Sequence, residues 1–267
     1  MNSSNLNCES VKSLDDNMDS LFGNVASRLV LAPRIGIAGF QELSLLDYPG
    51  KLSCIIFMPG CNFRCPFCHN SPLACKTKKD VMTLDELGTF LDSRKGLLEG
   101  VVISGGEPTL NPYLIPLLHY IHDKGYSIKL DTNGYKPEII SRVIASGCID
   151  YIAMDIKGSA RIYPTITGTL YLNMNALEIS IAQIMQSGID YEFRTTFIDQ
   201  FHTEEDVEEM ASMIEGAKAF YLQSFQDRDT VPMHNLSAPS IETLQKYKKI
   251  FEAHKIQKVE IRGREDT

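Results

Sequence analysis

Pro59-Gly60-Cys61-Asn62-Phe63-Arg64-Cys65-Pro66-Phe67-Cys68-His69-Asn70 is the stretch on which the reading of this chain turns. It holds three of the seven cysteines in a C-x3-C-x2-C spacing. That spacing brings three thiolates together on one tight loop, and soft thiolate ligands select iron–sulfur clusters, zinc or copper(I). Three ligands on a cubane cluster leave one iron without a protein ligand. Chemistry can take place at such an open position, as at the vacant site of a catalytic zinc. A structural zinc site is the alternative from another class, a metal-stabilised binding module with a fourth ligand from Cys54, Cys75 or His69. Structural zinc sites usually show two separated pairs, and no second pair follows here. A ferredoxin-like carrier would want a fourth cysteine before a proline, whereas Cys75 is followed by Lys76.

Working outward, the cysteine stretch directly follows a β-rich run at 53–57. From there short β-rich runs alternate with longer amphipathic ones. The pattern predicts strands at 53–57, 101–104, 127–131, 151–155, 191–196 and 219–222, with a late strand at 259–262. It predicts helices at 84–93, 113–124, 138–146, 175–187, 204–214 and 241–254. Thr83 with Glu86 reads as a capping box, and Gly125, Gly147 and Gly188 fall where helices need a left-handed stop. Strand–helix alternation implies a parallel sheet with right-handed crossovers. Six units would form an α/β barrel or partial barrel, with a doubly wound open sheet as the competitor. Residues 35–46 are expected to add a peripheral strand pair. Residues 1–34, rich in Asn, Ser and Asp, read as an N-terminal extension with a short helix in 20–31, and 35–267 as the barrel domain.

The bulk numbers fit one large domain: 267 residues, 43% hydrophobic. A net charge of −8 gives no general pull toward nucleic acid or an anionic membrane. No apolar run is long enough to span a bilayer, and the N-terminus lacks a signal pattern. The odd cysteine count argues against a disulfide framework, so a reducing cytoplasm is expected.

In parallel α/β folds ligands sit at the C-terminal ends of the strands, so polar and glycine clusters there are informative. Ser104-Gly105-Gly106-Glu107-Pro108 follows the second predicted strand, Asp131-Thr132-Asn133-Gly134 the third, and Asp155-Ile156-Lys157 ends the fourth. Gly105 and Gly106 would let the backbone approach a ligand closely. Alternation along the fifth strand puts Glu192, Arg194 and Thr196 on one face. A buried Arg194 needs an anionic partner, either a bound carboxylate, Glu192 or a carboxylate of another strand. His202 and His234 lie in later loops and are assigned no role; Cys75 is taken as a bystander and Cys54 as core.

The cysteine spacing, the aromatic residue before its last cysteine and the later Gly-Gly-Glu-Pro resemble the radical S-adenosylmethionine superfamily, over about residues 52–222. The resemblance implies a partial (β/α)6 barrel and a 4Fe-4S cluster on Cys61, Cys65 and Cys68. It also implies reductive cleavage of S-adenosylmethionine to a 5′-deoxyadenosyl radical. Phe67 would lie near the adenine, and Gly105, Gly106 and Glu107 would hold the methionine amino group. Asp131-Thr132, Asp155-Ile156-Lys157 and Cys68-His69-Asn70 are similar to the glycyl-radical-enzyme activases. That similarity implies a monovalent cation on Asp131, Thr132 and Asp155 with a carbonyl near Ala153. It gives Lys157 to a carboxylate in the same pocket and Asn133 to the ribose or methionine group, and the cosubstrate carboxylate would be the bound partner open to Arg194. No protein-borne acid–base catalyst is expected. The stretch from Ser44 to Lys51, SLLDYPGK, is similar to the anaerobic ribonucleoside-triphosphate reductase activating proteins. The implied substrate is then a glycine of a partner glycyl-radical enzyme, with flavodoxin or ferredoxin as electron donor. A small-molecule substrate, as in the 7-carboxy-7-deazaguanine synthases, is the alternative within the superfamily.

Overall fold

The computed structural model describes residues 35–75 and 80–263. The extension expected at 1–34, with its helix, lies outside the described residues. Eight strands form one sheet: β1 Gly39–Ser44, β2 Ser53–Met58, β3 Gly100–Gly105, β4 Ser127–Thr132, β5 Tyr151–Asp155, β6 Asp190–Phe197, β7 Phe220–Ser224 and β8 Val259–Arg262. Their spatial order is their chain order. A doubly wound sheet must reverse its strand order at a switch point, so this sequential order excludes it and leaves a barrel opened between β1 and β8. β2 to β8 are mutually parallel. The helices are α1 Ser71–Ala74, α2 Leu84–Ser93, α3 Leu114–Asp123, α4 Pro137–Ala145, α5 Tyr163–Thr167, α6 Met174–Gln186, α7 Glu204–Met213 and α8 Ile241–Ala253.

The periodic segments form the expected elements, and the Thr83–Glu86 capping box closes the start of α2. Gly125, Gly147 and Gly188 have the left-handed φ that ends α3, α4 and α6. The strand pair expected at 35–46 is a single strand. β1 lies antiparallel on the edge of β2, while Ile37 makes only an isolated bridge to Met82. The β2 edge offers one row of backbone partners, and β1 fills it.

Period-two alternation divides the strands between two environments. Cys54, Ile56, Val101, Ile103, Ile128, Leu130, Ile152, Met154, Phe193 and Phe220 face the helices in the main core. The opposite face lines the barrel interior. There Ile55 and Val102 pack with Tyr48, Phe57 and Tyr151 at one end. Further along the interior is polar. Glu192 is fully buried and takes Arg262 through Nη1 at 2.9 Å and Nη2 at 3.1 Å, plus the Tyr151 hydroxyl at 3.0 Å. A buried carboxylate persists only when its lone pairs are met in this way. Among the described residues no helix is long and apolar enough to cross a membrane.

The outer core is anchored on α8, whose Phe251 stacks on Phe220 of β7 with ring centroids 3.8 Å apart. Both rings are fully buried. Phe251→Ala is expected to lower unfolding stability by about 3–5 kcal/mol in urea titrations. A loss below about 1 kcal/mol would mean that this wall carries little of the fold.

Candidate cofactor site at the strand ends

The cysteine loop leaves β2 and is fixed by backbone bonds on every side. Gly60 N–H donates to Leu73 O at 2.7 Å and Cys61 N–H to Ala74 O at 3.2 Å, which docks it on α1. Arg64 N–H donates to Thr167 O at 2.7 Å, tying it to the end of α5. The segment between β7 and α8 crosses it as a strap: Met233 N–H donates to Pro66 O at 2.9 Å, and the Ser71 hydroxyl to Thr230 O at 2.5 Å. His69 stacks on Phe225 and places Nε2 2.7 Å from Gln226 O. A carbonyl only accepts, so Nε2 carries the proton.

The Gly-Gly-Glu segment is packed directly on this loop. Gly106 N–H donates to Met58 O at 2.8 Å and Glu107 N–H to Gly60 O at 2.7 Å. A Cβ on Gly106 would stand 2.1 Å from Gly60 O, and one on Gly105, at φ +117°, 2.4 Å from Met58 N. The close approach that needs these glycines is therefore loop on loop. Glu107 is buried, and its carboxylate accepts from Thr109 N–H and Oγ1, Thr132 Oγ1 and Asn133 N–H. Burial pushes its pKa up, against four donors that favour the anion. It acts as a strap from β3 to the end of β4. Asn133, held by that bond, donates from Nδ2 to Asn62 Oδ1 at 2.8 Å.

Inside the barrel mouth the charged residues alternate. Lys129 Nζ lies 2.6 Å from Asp131 Oδ1, and Arg194 Nη2 lies 3.2 Å from Asp131 Oδ2. Arg194 Nε donates to Asp155 Oδ1 at 2.7 Å, and Lys157 Nζ stands 3.2 Å from Asp155 Oδ2. The register sets this up, with Asp155 directly beside Arg194 on the neighbouring strand. Burial disfavours the ionised form of Asp155, but Lys157 and Arg194 outweigh it and hold the carboxyl at about 2. Asp131 is likewise held down by Arg194 and Lys129 against burial. The backbone of Lys157 is itself fixed, its carbonyl accepting from His202 Nε2 at 3.0 Å. Burial lowers the pKa of His202.

The structure thus brings Cys61, Cys65, Cys68, Gly105, Gly106, Glu107 and Asn133 into one hydrogen-bonded body. Asp131, Asp155, Lys157 and Arg194 form an adjoining ion network, and Lys157 acts electrostatically on all three thiols. Phe67 is buried with its ring 6.3 Å from that of Phe201. Cys75 is exposed and Cys54 is core. Sequence reasoning overlooked Lys129, Asn62 and the positioning role of His202. Only Lys129 had a signal, since it shares the β4 interior face with Asp131.

This combination of sequential partial barrel and strand-end cysteine loop defines a class. The family model described as "Radical SAM superfamily" matches residues 55–214, more than half of the chain. The chain belongs to that superfamily and to its glycyl-radical-enzyme activase-like group. A Methanocaldococcus jannaschii protein named, provisionally, as a glycyl-radical enzyme activating enzyme is 34% identical over 199 residues, covering 72% of this chain and 81% of its own length. The pyruvate formate-lyase-activating enzyme of Clostridium pasteurianum is 24% identical over 236 residues, covering 86% and 92%. The crystal structure of a radical SAM methyltransferase from Sphaerobacter thermophilus shares the fold. Its TM-score is 0.61 at 18% identity, covering 83% of this chain and 69% of that one.

The superfamily's usual groups are a 4Fe-4S cluster and S-adenosylmethionine, and the strand-end residues fit both. Burial pushes the Cys61 thiol up to about 12 and raises Cys65 and Cys68 as well. Such thiols give up their protons to a strongly cationic partner, which iron supplies. Asn62 Nδ2, beside Cys61, is a buried donor without an acceptor and has one to offer to a bound group. Three cations, Lys129, Arg194 and Lys157, face two carboxylates, Asp131 and Asp155. The surplus positive charge suits the methionine carboxylate. Among the described residues no three His, Cys, Asp or Glu side chains converge tightly enough to grip a single metal ion.

The ion network sets a pH dependence. Asp155 has a folded pKa below its unfolded value, so its contribution is present above about pH 4 and is lost as pH falls toward about 2. Asp155→Asn is expected to cost about 2–3 kcal/mol at pH 7 and about half that at pH 3, read from urea unfolding at both pH values. An equal cost at the two would contradict the ion pairing.

Proposed function

We propose that this chain activates a glycyl-radical enzyme, specifically an anaerobic ribonucleoside-triphosphate reductase, by abstracting hydrogen from one glycine of that partner. A 4Fe-4S cluster and S-adenosylmethionine, when bound, would supply one-electron chemistry: an electron from flavodoxin or ferredoxin would cleave the sulfonium into methionine and a 5′-deoxyadenosyl radical able to take the hydrogen atom. The cofactors carry the difficult chemistry, and the protein's part is to bind, orient and exclude water.

Cys61, Cys65 and Cys68 would hold the cluster by three irons and leave the fourth to the cosubstrate. The cationic surplus around Lys157 and Arg194 would receive the cosubstrate carboxylate, and His202 holds Lys157 in register for it. The neighbourhood of Gly105 and Gly106 would receive the amino group, and Phe67 the adenine.

One observation favours a polypeptide over a small molecule. Leu170 and Tyr171 are 92% and 90% exposed. They stand two and three residues beyond Gly168, whose Cβ, if present, would lie 2.8 Å from Arg64 O. A pair of bare apolar side chains next to the cysteine loop suits a protein partner. The similarity of SLLDYPGK to the reductase activating proteins supports the choice of partner.

Anaerobic incubation of the reconstituted chain with S-adenosylmethionine, a reductant and an anaerobic ribonucleotide reductase should give a glycyl-radical EPR doublet on the reductase. Leu170→Ser with Tyr171→Ser should still cleave S-adenosylmethionine alone but lower the radical yield at limiting partner by about tenfold. Cosubstrate cleavage with no radical on any glycyl-radical enzyme offered would sink the assignment.

A further inference from the structure

Lys129 is 2% exposed, in the middle of β4 and on the interior face of the barrel. Lysine is almost never buried unless paired, and here its ammonium lies 2.6 Å from Asp131 Oδ1. The other Asp131 oxygen accepts from the Ser104 hydroxyl at 3.0 Å and faces Arg194 Nη2 at 3.2 Å. Both oxygens of Asp155 are engaged by Arg194 and Lys157. Thr132 Oγ1 donates to Glu107 at 2.7 Å and accepts from Gly134 N–H at 3.1 Å.

These are the side chains to which the likeness to activases would give a monovalent cation, and they do not fit one. Every such oxygen already meets a donor. Lys129, Arg194 and Lys157 already bring three positive charges onto Asp131 and Asp155, so a further positive ion would enter a buried site beside like charges. We infer that Lys129 is the built-in counter-ion of this site: its tethered ammonium neutralises Asp131, and the chain takes up no sodium or potassium there. A lysine ammonium carries the same single charge as the ion it replaces. Being covalently attached, it needs no recruitment from solution. The site therefore keeps the same positive charge beside Asp131 at every salt composition. This goes beyond the proposed function and does not rest on which substrate the enzyme attacks.

The test uses rubidium, whose anomalous scattering marks a monovalent site. Crystals of the full chain, grown anaerobically and soaked in rubidium chloride, should show no rubidium peak between Asp131 and Asp155. Lys129→Met should show one. Its melting temperature should also rise when tetramethylammonium chloride is replaced by potassium chloride at equal ionic strength, while that of the native chain stays unchanged. A rubidium peak on Asp131 in the native chain would overturn the inference. So would a Lys129→Met protein that neither binds rubidium nor responds to potassium. Should Lys129→Met fail to fold, Lys129→Gln takes its place, and the native crystals can overturn the inference alone. None of these readouts uses radical formation, so failure of the glycyl-radical assay leaves them standing.

Discussion

Everything at the strand ends depends on how closely two loops approach each other. The Gly105-Gly106 segment lies against Met58 and Gly60 at a separation that no side chain permits, and two backbone bonds, from Gly106 and Glu107, lock it there. The cysteine loop therefore inherits its position from the end of β3 as much as from β2. Glu107 carries the constraint one strand further, because its buried carboxylate collects donors from Thr109, Thr132 and Asn133. Asn133 closes the circuit on Asn62, next to the first cysteine. Three consecutive strand ends thus behave as one preorganised body. That is what a site needs when the cofactors do the chemistry and the protein supplies orientation.

The barrel interior supplies a second constraint. Apolar packing is concentrated between sheet and helices, so the inner face is free to hold charge. It does so in pairs: Glu192 with Arg262 at one level, then Asp131 and Asp155 interleaved with Lys129, Arg194 and Lys157 nearer the mouth. Breaking any pair would leave a partner buried without compensation, which is expensive. These pairs hold the network together, and Lys157 presents its positive charge to the thiols.

Much of this was legible in the sequence because it is local. The C-x3-C-x2-C spacing, the Thr83–Glu86 cap and the alternation of strands with helices depend on neighbours along the chain. What was not legible depends on register and approach between distant segments. Alternation alone leaves Arg194 open to several anionic partners, and only the pairing of β5 with β6 puts it on Asp155. Alternation puts Lys129 on the same face of β4 as Asp131, but its burial appears only when the barrel closes around it. The sequence suggests that Gly105 and Gly106 admit a ligand, whereas the contact that requires them in the fold is with the cysteine loop. The five-residue α5 has too few residues to show a helical period, and its second residue is Pro164.

The proposed function requires Cys61, Cys65 and Cys68 to hold a four-iron cluster with one iron left open for S-adenosylmethionine. Mössbauer spectra of protein enriched in 57Fe and isolated anaerobically test this most directly, recorded with and without S-adenosylmethionine. The expected result is a 4Fe-4S signal in which the cosubstrate shifts one iron site and leaves the others in place. A colourless zinc protein, or a cluster whose irons are all indifferent to S-adenosylmethionine, would contradict it.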